Sequence, residues 1–255
     1  MVHHFEMGVW LLFLSYGVAV VGSVVGLACA YQSRTATGGT RIGWLVLAAL
    51  SIGGVGIWLM HFVGMLGFAT PGLPIRYDIA RTFLSAVLAV AAVFGGLMVF
   101  GVQKRSSLWR LLVAGTITGL AVNLMHYTGM WAVNVKGTIS YNPFLVVVSI
   151  LVAIGAATAA LWFTVLAERP GQRLVAGLVM GVASSGMHYI GMMAIRVDLN
   201  PDGPDPTGVE VFSFLFPVFI LAAVALAVPI VAVLTAKPKD DVLSMADKPS
   251  SVVPA

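Results

Sequence analysis

Apolar positions run almost unbroken through seven stretches, roughly 9–31, 43–68, 82–102, 110–133, 143–166, 173–195 and 212–236. Each is about 20 residues or longer, which matches a helix crossing a hydrocarbon core of about 30 Å. Polar residues gather in the short segments between them, and their charge alternates. Arg34, Arg41, Lys104, Arg105, Arg110, Arg169, Arg173, Lys237, Lys239 and Lys248 fall on one side, ten of the chain's fourteen basic residues. Arg76, Arg81, Lys136 and Arg196 fall on the other, together with Glu6, Asp78, Asp198, Asp202, Asp205 and Glu210. The excess of positive charge marks the cytoplasmic side, so the pattern predicts an outer N-terminus and a cytoplasmic C-terminus. The predicted fold is all-α: a polytopic membrane protein with seven transmembrane helices.

Inside these runs one short pattern occurs three times: Met60-His61-Phe62-Val63-Gly64-Met65, Met125-His126-Tyr127-Thr128-Gly129-Met130 and Met187-His188-Tyr189-Ile190-Gly191-Met192. The histidines are 65 and then 62 residues apart, so the unit is two membrane helices long. Gly54, Gly119 and Gly181 stand seven residues before each histidine, with Gly56, Ala121 and Ala183 two positions later. The preceding runs carry Ser15/Ala19, Ser85/Ala89 and Ser149/Ala153 at a shared Ser-x-x-x-Ala spacing. Small residues four apart let helices approach closely in lipid. All three histidines fall near the outer ends of helices that run in the same direction. The expected architecture is therefore three parallel-repeat hairpins related by an axis along the membrane normal, plus a C-terminal helix with Pro217 and Pro229 at its kinks or ends.

An ionisable side chain within a membrane helix is costly and calls for a function or a partner. Residues four apart share a helix face, so His61 and Met65, His126 and Met130, and His188 and Met192 point the same way. Met60, Met125 and Met187 lie on the flank of that face, and Gly64, Gly129 and Gly191 leave room beside it. Three imidazoles and several thioethers at one depth suit a metal. Nitrogen with soft sulfur favours copper, Cu(I) above all, over zinc. Haem competes, because His and Met both serve as its axial ligands. A single His-x-x-x-Met is most simply packing, with Met filling a gap and His bonding across helices. Three copies that agree at Met, His, aromatic, Gly and Met, while the surrounding apolar residues drift, favour a ligand role. His3 and His4 lie on the same side and are weaker candidates. Tyr77-Asp78 and Tyr141-Asn142 close the outer mouth or cap the following helices, and Asn123 is expected to bond a neighbouring helix.

Composition narrows the classes. Only 9% of the 255 residues are charged, against 59% hydrophobic, whereas a soluble domain carries about 25% charge. The basic balance is explained by the loops and not by a nucleic-acid partner. The single cysteine, Cys29, excludes an internal disulfide and a thiolate zinc site. The last helix has no interior lysine for a retinal Schiff base. No acidic or basic residue lies deep in a predicted helix, which argues against proton-coupled transport. The polar 237–255 tail reads as disordered and too short for an output domain, leaving 1–236 as one membrane domain.

The chain resembles the MHYT family, whose signature Met-His-Tyr-Thr stands verbatim at Met125–Thr128 and in altered form in the other two copies. The resemblance covers nearly the whole chain. It implies a sensor module of the bacterial inner membrane that binds copper near the outer face and senses a diatomic gas such as O2, CO or NO. It assigns His61, Met65, His126, Met130, His188 and Met192 to the metal; Met60, Met125, Met187 and His4 are second-place candidates on position alone, and a separate signalling protein is the expected partner. The readings that compete with it are a protein that takes up, stores or delivers copper, and a haem redox protein.

Overall fold

The computed structural model describes residues 8–70, 73–101 and 107–236; His3, His4 and the tail from Lys237 lie outside them. Seven helices are long and apolar enough to cross a membrane. They are α1 (Trp10–Ser33), α2 (Gly38–Met65), α3 (Ile79–Phe100), α4 (Leu108–Trp131), α5 (Pro143–Leu166), α6 (Pro170–Met193) and α7 (Val211–Thr235). The ends fall within about five residues of the apolar runs, because loop chemistry sets them. The Asp78 carboxylate accepts the Arg81 N–H at the start of α3, and the Asn142 carbonyl accepts the N–H groups of Phe144 and Leu145 at the start of α5. Both are N-caps. Gly101, at φ 87°, ends α3 in the left-handed conformation that glycine adopts at no steric cost. Pro217 and Pro229 both lie within α7.

Helices α1 to α6 form a closed ring in which each packs on the next and α6 returns to α1. Glycines set the close approaches. A Cβ on Gly119 of α4 would come within 2.5 Å of the Ile154 Cα of α5. A Cβ on Gly22 of α1 would come within 2.7 Å of the Gly56 Cα of α2. Helix α7 stays outside the ring. It lays Val218 and Ala222 against Leu11 of α1 and Val55, Leu59 and Val63 of α2.

The three histidine helices differ in one respect. α4 and α6 are regular, whereas α2 is wound as a π-helix over Leu50–Leu59 before returning to α-geometry at Met60. The wider winding moves its contact with α3 by one residue. A Cβ on Gly53 would meet the Ala89 carbonyl oxygen at 2.6 Å, while one on Gly54 would find only the Val90 Cγ2 at 3.6 Å. Gly53, not Gly54, is therefore the packing counterpart of Gly119.

Above the histidine end, the loops form two small sheets. β1 (Arg76–Tyr77) lies between β2 (Val133–Asn134) and β5 (Val209–Glu210), and β3 (Gly137–Tyr141) pairs with β4 (Ile195–Leu199), all antiparallel. Ion pairs Arg76–Glu210 at 2.8 Å and Lys136–Asp205 at 3.0 Å cross these loops. The 198–210 segment begins and ends in strands. At the other end of the bundle the guanidinium groups of Arg34 and Arg173 both lie over the Tyr31 ring, and Arg34 pairs with Glu168 at 3.6 Å.

Candidate metal centre

His61, His126 and His188 stand four or five residues from the ends of α2, α4 and α6, and the ring brings them together on its axis. All three are at most 1% exposed. Their rings meet edge to face, with centroids 4.9 Å apart for His61–His126, 4.8 Å for His61–His188 and 5.4 Å for His126–His188. The Nδ1 atoms point inward: His61 Nδ1 lies 2.9 Å from His188 Nδ1 and 3.2 Å from His126 Nδ1. One ring nitrogen from each lies within 4.8 Å of the other two.

The motif glycines seat the rings. A Cβ on Gly64 would stand 2.5 Å from His188 Nε2, one on Gly129 would stand 2.6 Å from His61 Nε2, and one on Gly191 would run into His126 Nε2. Each imidazole thus fills the notch of a glycine on a neighbouring repeat, in cyclic order. The room that the sequence leaves beside the histidine face is taken by the next histidine.

Hydrogen bonding within the cluster leaves it incomplete. The Nε2 atoms of His61 and His126 are buried and have no hydrogen-bond partner. A neutral imidazole carries one proton. If it sits on Nδ1 of His61, the 3.2 Å contact requires Nδ1 of His126 to accept, and the His126 Nε2–H is stranded. If it sits on Nε2 of His61, that N–H is stranded instead. Either assignment buries an unsatisfied donor, a cost of about 1–3 kcal/mol. A site whose own bonds do not close is where a ligand or a function is to be sought.

Met65, Met130 and Met192 are brought together as well. They share one buried cluster with Phe62, Tyr77, Val133 and Ile195, one turn beyond the histidines and beneath the small sheets. Burial pushes the pKa of the Tyr77 phenol up, so it stays neutral there. Met125 and Met187 belong to a different cluster, with Ala89, Val122 and Ala153, towards the middle of the bundle. Met60 is fully buried.

Three serines brace the histidine helices from behind. Ser15, Ser85 and Ser149 each donate to the carbonyl three residues earlier, that of Leu12, Thr82 and Val146. Each oxygen then accepts from a histidine helix: from the Tyr189 hydroxyl at 3.3 Å, the Trp58 Nε1–H at 3.0 Å and the Tyr127 hydroxyl at 3.0 Å respectively. Phe62 occupies the tyrosine position in the first repeat and has no hydroxyl, so Trp58, a turn earlier, supplies the donor. Asn123 also donates to Ser149, at 3.0 Å, which is the interhelical bond its polarity predicts. The serine recurrence is legible in the chain; Trp58 stands where Asn123 stands in the second repeat, three residues before the histidine, and makes the same bond to the serine of the following helix.

Fold and site together define a seven-helix membrane protein whose three repeats each contribute one histidine to a common buried cluster. The chain belongs to the MHYT family: the profile described as a bacterial signalling protein N-terminal repeat matches it three times, at 54–115, 119–177 and 181–241. Each match starts within a histidine helix, at the glycine seven residues before the histidine. Among characterised proteins, the chain is 37% identical over 236 residues to MucR of Pseudomonas aeruginosa, a bifunctional diguanylate cyclase/cyclic di-GMP phosphodiesterase, covering 89% of this chain and 34% of that protein. It is 32% identical over 229 residues to the signaling protein YkoW of Bacillus subtilis, covering 85% and 27%. It is 38% identical over 172 residues to the cyclic di-GMP phosphodiesterase NbdA of Pseudomonas aeruginosa, covering 63% and 21%. The chain thus spans about a third or less of the length of these relatives. No solved structure matches it.

Proposed function

We propose that this chain is the sensing part of a bacterial membrane signalling system, in which His61, His126 and His188 hold a copper ion. On this reading the signal is a diatomic gas such as O2, CO or NO, or the redox state of the site. The output lies in a signalling domain, whether in the same chain or in a separate protein. The relatives' descriptions favour the turnover of cyclic di-GMP as that output.

The observation that carries the reading is the convergence of three buried Nδ1 atoms, with contacts of 2.9 and 3.2 Å. Metal–nitrogen bonds of about 2.0 Å spread in a plane put three donors about 3.5 Å apart. The rings need to part by only a few tenths of an ångström to receive an ion. Met65, Met130 and Met192, buried at the same end, offer soft donors suited to Cu(I). A copper ion held there would supply a redox couple and an open coordination position. Haem fits less well: rings 4.8–5.4 Å apart, with their far edges against glycine backbone, leave no slot for a macrocycle. Uptake, storage or delivery of copper draws on the same site, and the relatives' signalling descriptions favour sensing.

The excess of basic residues in one set of loops supports an outer N-terminus and a cytoplasmic C-terminus, an orientation with the histidines near the outer face. Tags at the two termini should then be accessible from opposite sides. Metal analysis of protein purified without chelators tests the site. Wild type should carry copper and a His61→Ala/His126→Ala/His188→Ala variant should not; equal copper in both would end the reading. Met65→Leu, Met130→Leu or Met192→Leu should weaken Cu(I) binding less than any single histidine loss, because a thioether is a weak neutral ligand.

A further inference from the structure

Below the histidines, on the side away from the small sheets, an apolar cavity of about 60 Å³ lies between the helices of the ring. Ile57, Val122 and Ser184, each four residues before a histidine, line it, so it lies about one helical turn from the triad. Ala153, Ala156, Ala157 and Ala160 of α5 make one wall, and Val93 and Leu97 of α3 another. No charged side chain lines it.

The polar groups present are mostly engaged elsewhere. Thr118 donates to the Ala92 carbonyl at 3.5 Å, Thr164 to Leu161 at 2.6 Å and Ser184 to Gly56 at 3.4 Å. Ser23 is the one other hydroxyl on the wall. A buried water needs two to four polar partners, whereas apolar cavities stay dry and take up apolar guests. The volume is several times the roughly 10–15 Å³ that a water needs and well below the roughly 150 Å³ of a cavity that takes benzene. Its occupant is therefore apolar and only a few atoms in size. Such a molecule dissolves in the hydrocarbon around the helices, and the wall that α5 offers carries only the small side chains of Ala153, Ala156, Ala157 and Ala160 beside Leu161 and Thr164.

We infer that this cavity is a binding site for a small apolar molecule, a dissolved gas of diatomic size, which reaches it through the lipid and not through the sheets over the histidines. Binding here requires no metal, so it stands apart from the copper reading; only the transfer of the guest to the triad rests on that reading.

Xenon is the probe. Crystals of the metal-free protein pressurised with xenon should show anomalous density in the cavity. Ala157→Leu on α5 and Val93→Phe on α3 each fill the space from a different wall, and each should lose that density. Thermal melting identifies which variant is folded, and either one suffices. Wild-type crystals without xenon density there, ordered water in its place, or xenon retained in a folded filled variant would overturn the inference. Copper content, measured separately on the same wild-type preparation, keeps the two readings distinct: xenon without copper sinks the sensor reading alone, and copper without xenon sinks this one alone.

Discussion

The second and third histidine helices, α4 and α6, are regular from end to end, whereas α2 is π-wound across Leu50–Leu59. Their last turns nevertheless deliver the same constellation: a buried histidine, a glycine notch for a neighbouring imidazole, and a methionine under the sheets. The difference lies half-way down the helix, where α7 packs on Val55 and Leu59 of α2; among the described residues no seventh helix packs in this way on α4 or α6. The histidine ends are therefore held to three-fold likeness, while the middle of the first repeat is free to depart from it. π-turns inside α-helices are uncommon and tend to sit at functional positions. Here the departure falls on the histidine helix that touches the chain's last membrane segment.

The comparison breaks first at the shared end. Gly64→Ala, Gly129→Ala and Gly191→Ala each push a methyl group into an imidazole, and equivalence of the repeats predicts similar damage from all three. Overpacking of a tight core costs about 1–3 kcal/mol, and displacement of a ring from the triad adds to it. Thermal unfolding in detergent should show a large drop for every member of the set. One tolerated member would end the three-fold picture.

The next test sharpens the difference between the repeats. Gly53→Ala should destabilise by about as much as Gly119→Ala, in the 1–3 kcal/mol range, because both methyl groups meet backbone at 2.5–2.6 Å. Gly54→Ala should have little effect, since its methyl group meets only a side chain at 3.6 Å. If Gly54 behaves like Gly119 and Gly53 does not, the π-wound register is wrong and α2 is regular like its partners.

The smallest effects belong to the serine braces. Interhelical hydrogen bonds in membrane proteins average about 0.6 kcal/mol. Trp58→Phe removes the donor to Ser85 and some packing; Tyr189→Phe removes the hydroxyl bonded to Ser15; Tyr127→Phe leaves Asn123 still bonded to Ser149. Unfolding midpoints should fall in that order, Trp58 most and Tyr127 least. A Tyr127→Phe loss as large as that of Trp58→Phe would contradict the account of how the first repeat replaces its missing hydroxyl.

The seven spans were legible because hydropathy over about 20 residues is a strong signal, and the meeting of His61, His126 and His188 was legible because strict recurrence on parallel helices leaves few other arrangements. The recurrence of Ser15, Ser85 and Ser149 was legible as a close-packing pattern though not as a set of hydrogen-bond acceptors, and the Asn123 bond followed from its polarity. The π segment was not: its composition is that of any apolar helix, and Gly54 lines up with Gly119 and Gly181 by count although Gly53 makes the contact. Two-residue strands such as Arg76–Tyr77 carry too little pattern to read. Nor could the chain reveal that α1 closes the ring where α7 follows α6 in sequence, or that the motif glycines seat imidazoles, since both are relations between repeats and not features within one.

X-ray absorption at the copper edge of the Cu(I)-loaded protein tests the central claim most directly, because it counts the atoms around the ion. The account predicts a nitrogen shell at about 2.0 Å made by the three histidines, losing one donor in each of the His61→Ala, His126→Ala and His188→Ala variants. A wild-type spectrum dominated by sulfur, or one that stays the same when the histidines are removed, would contradict it.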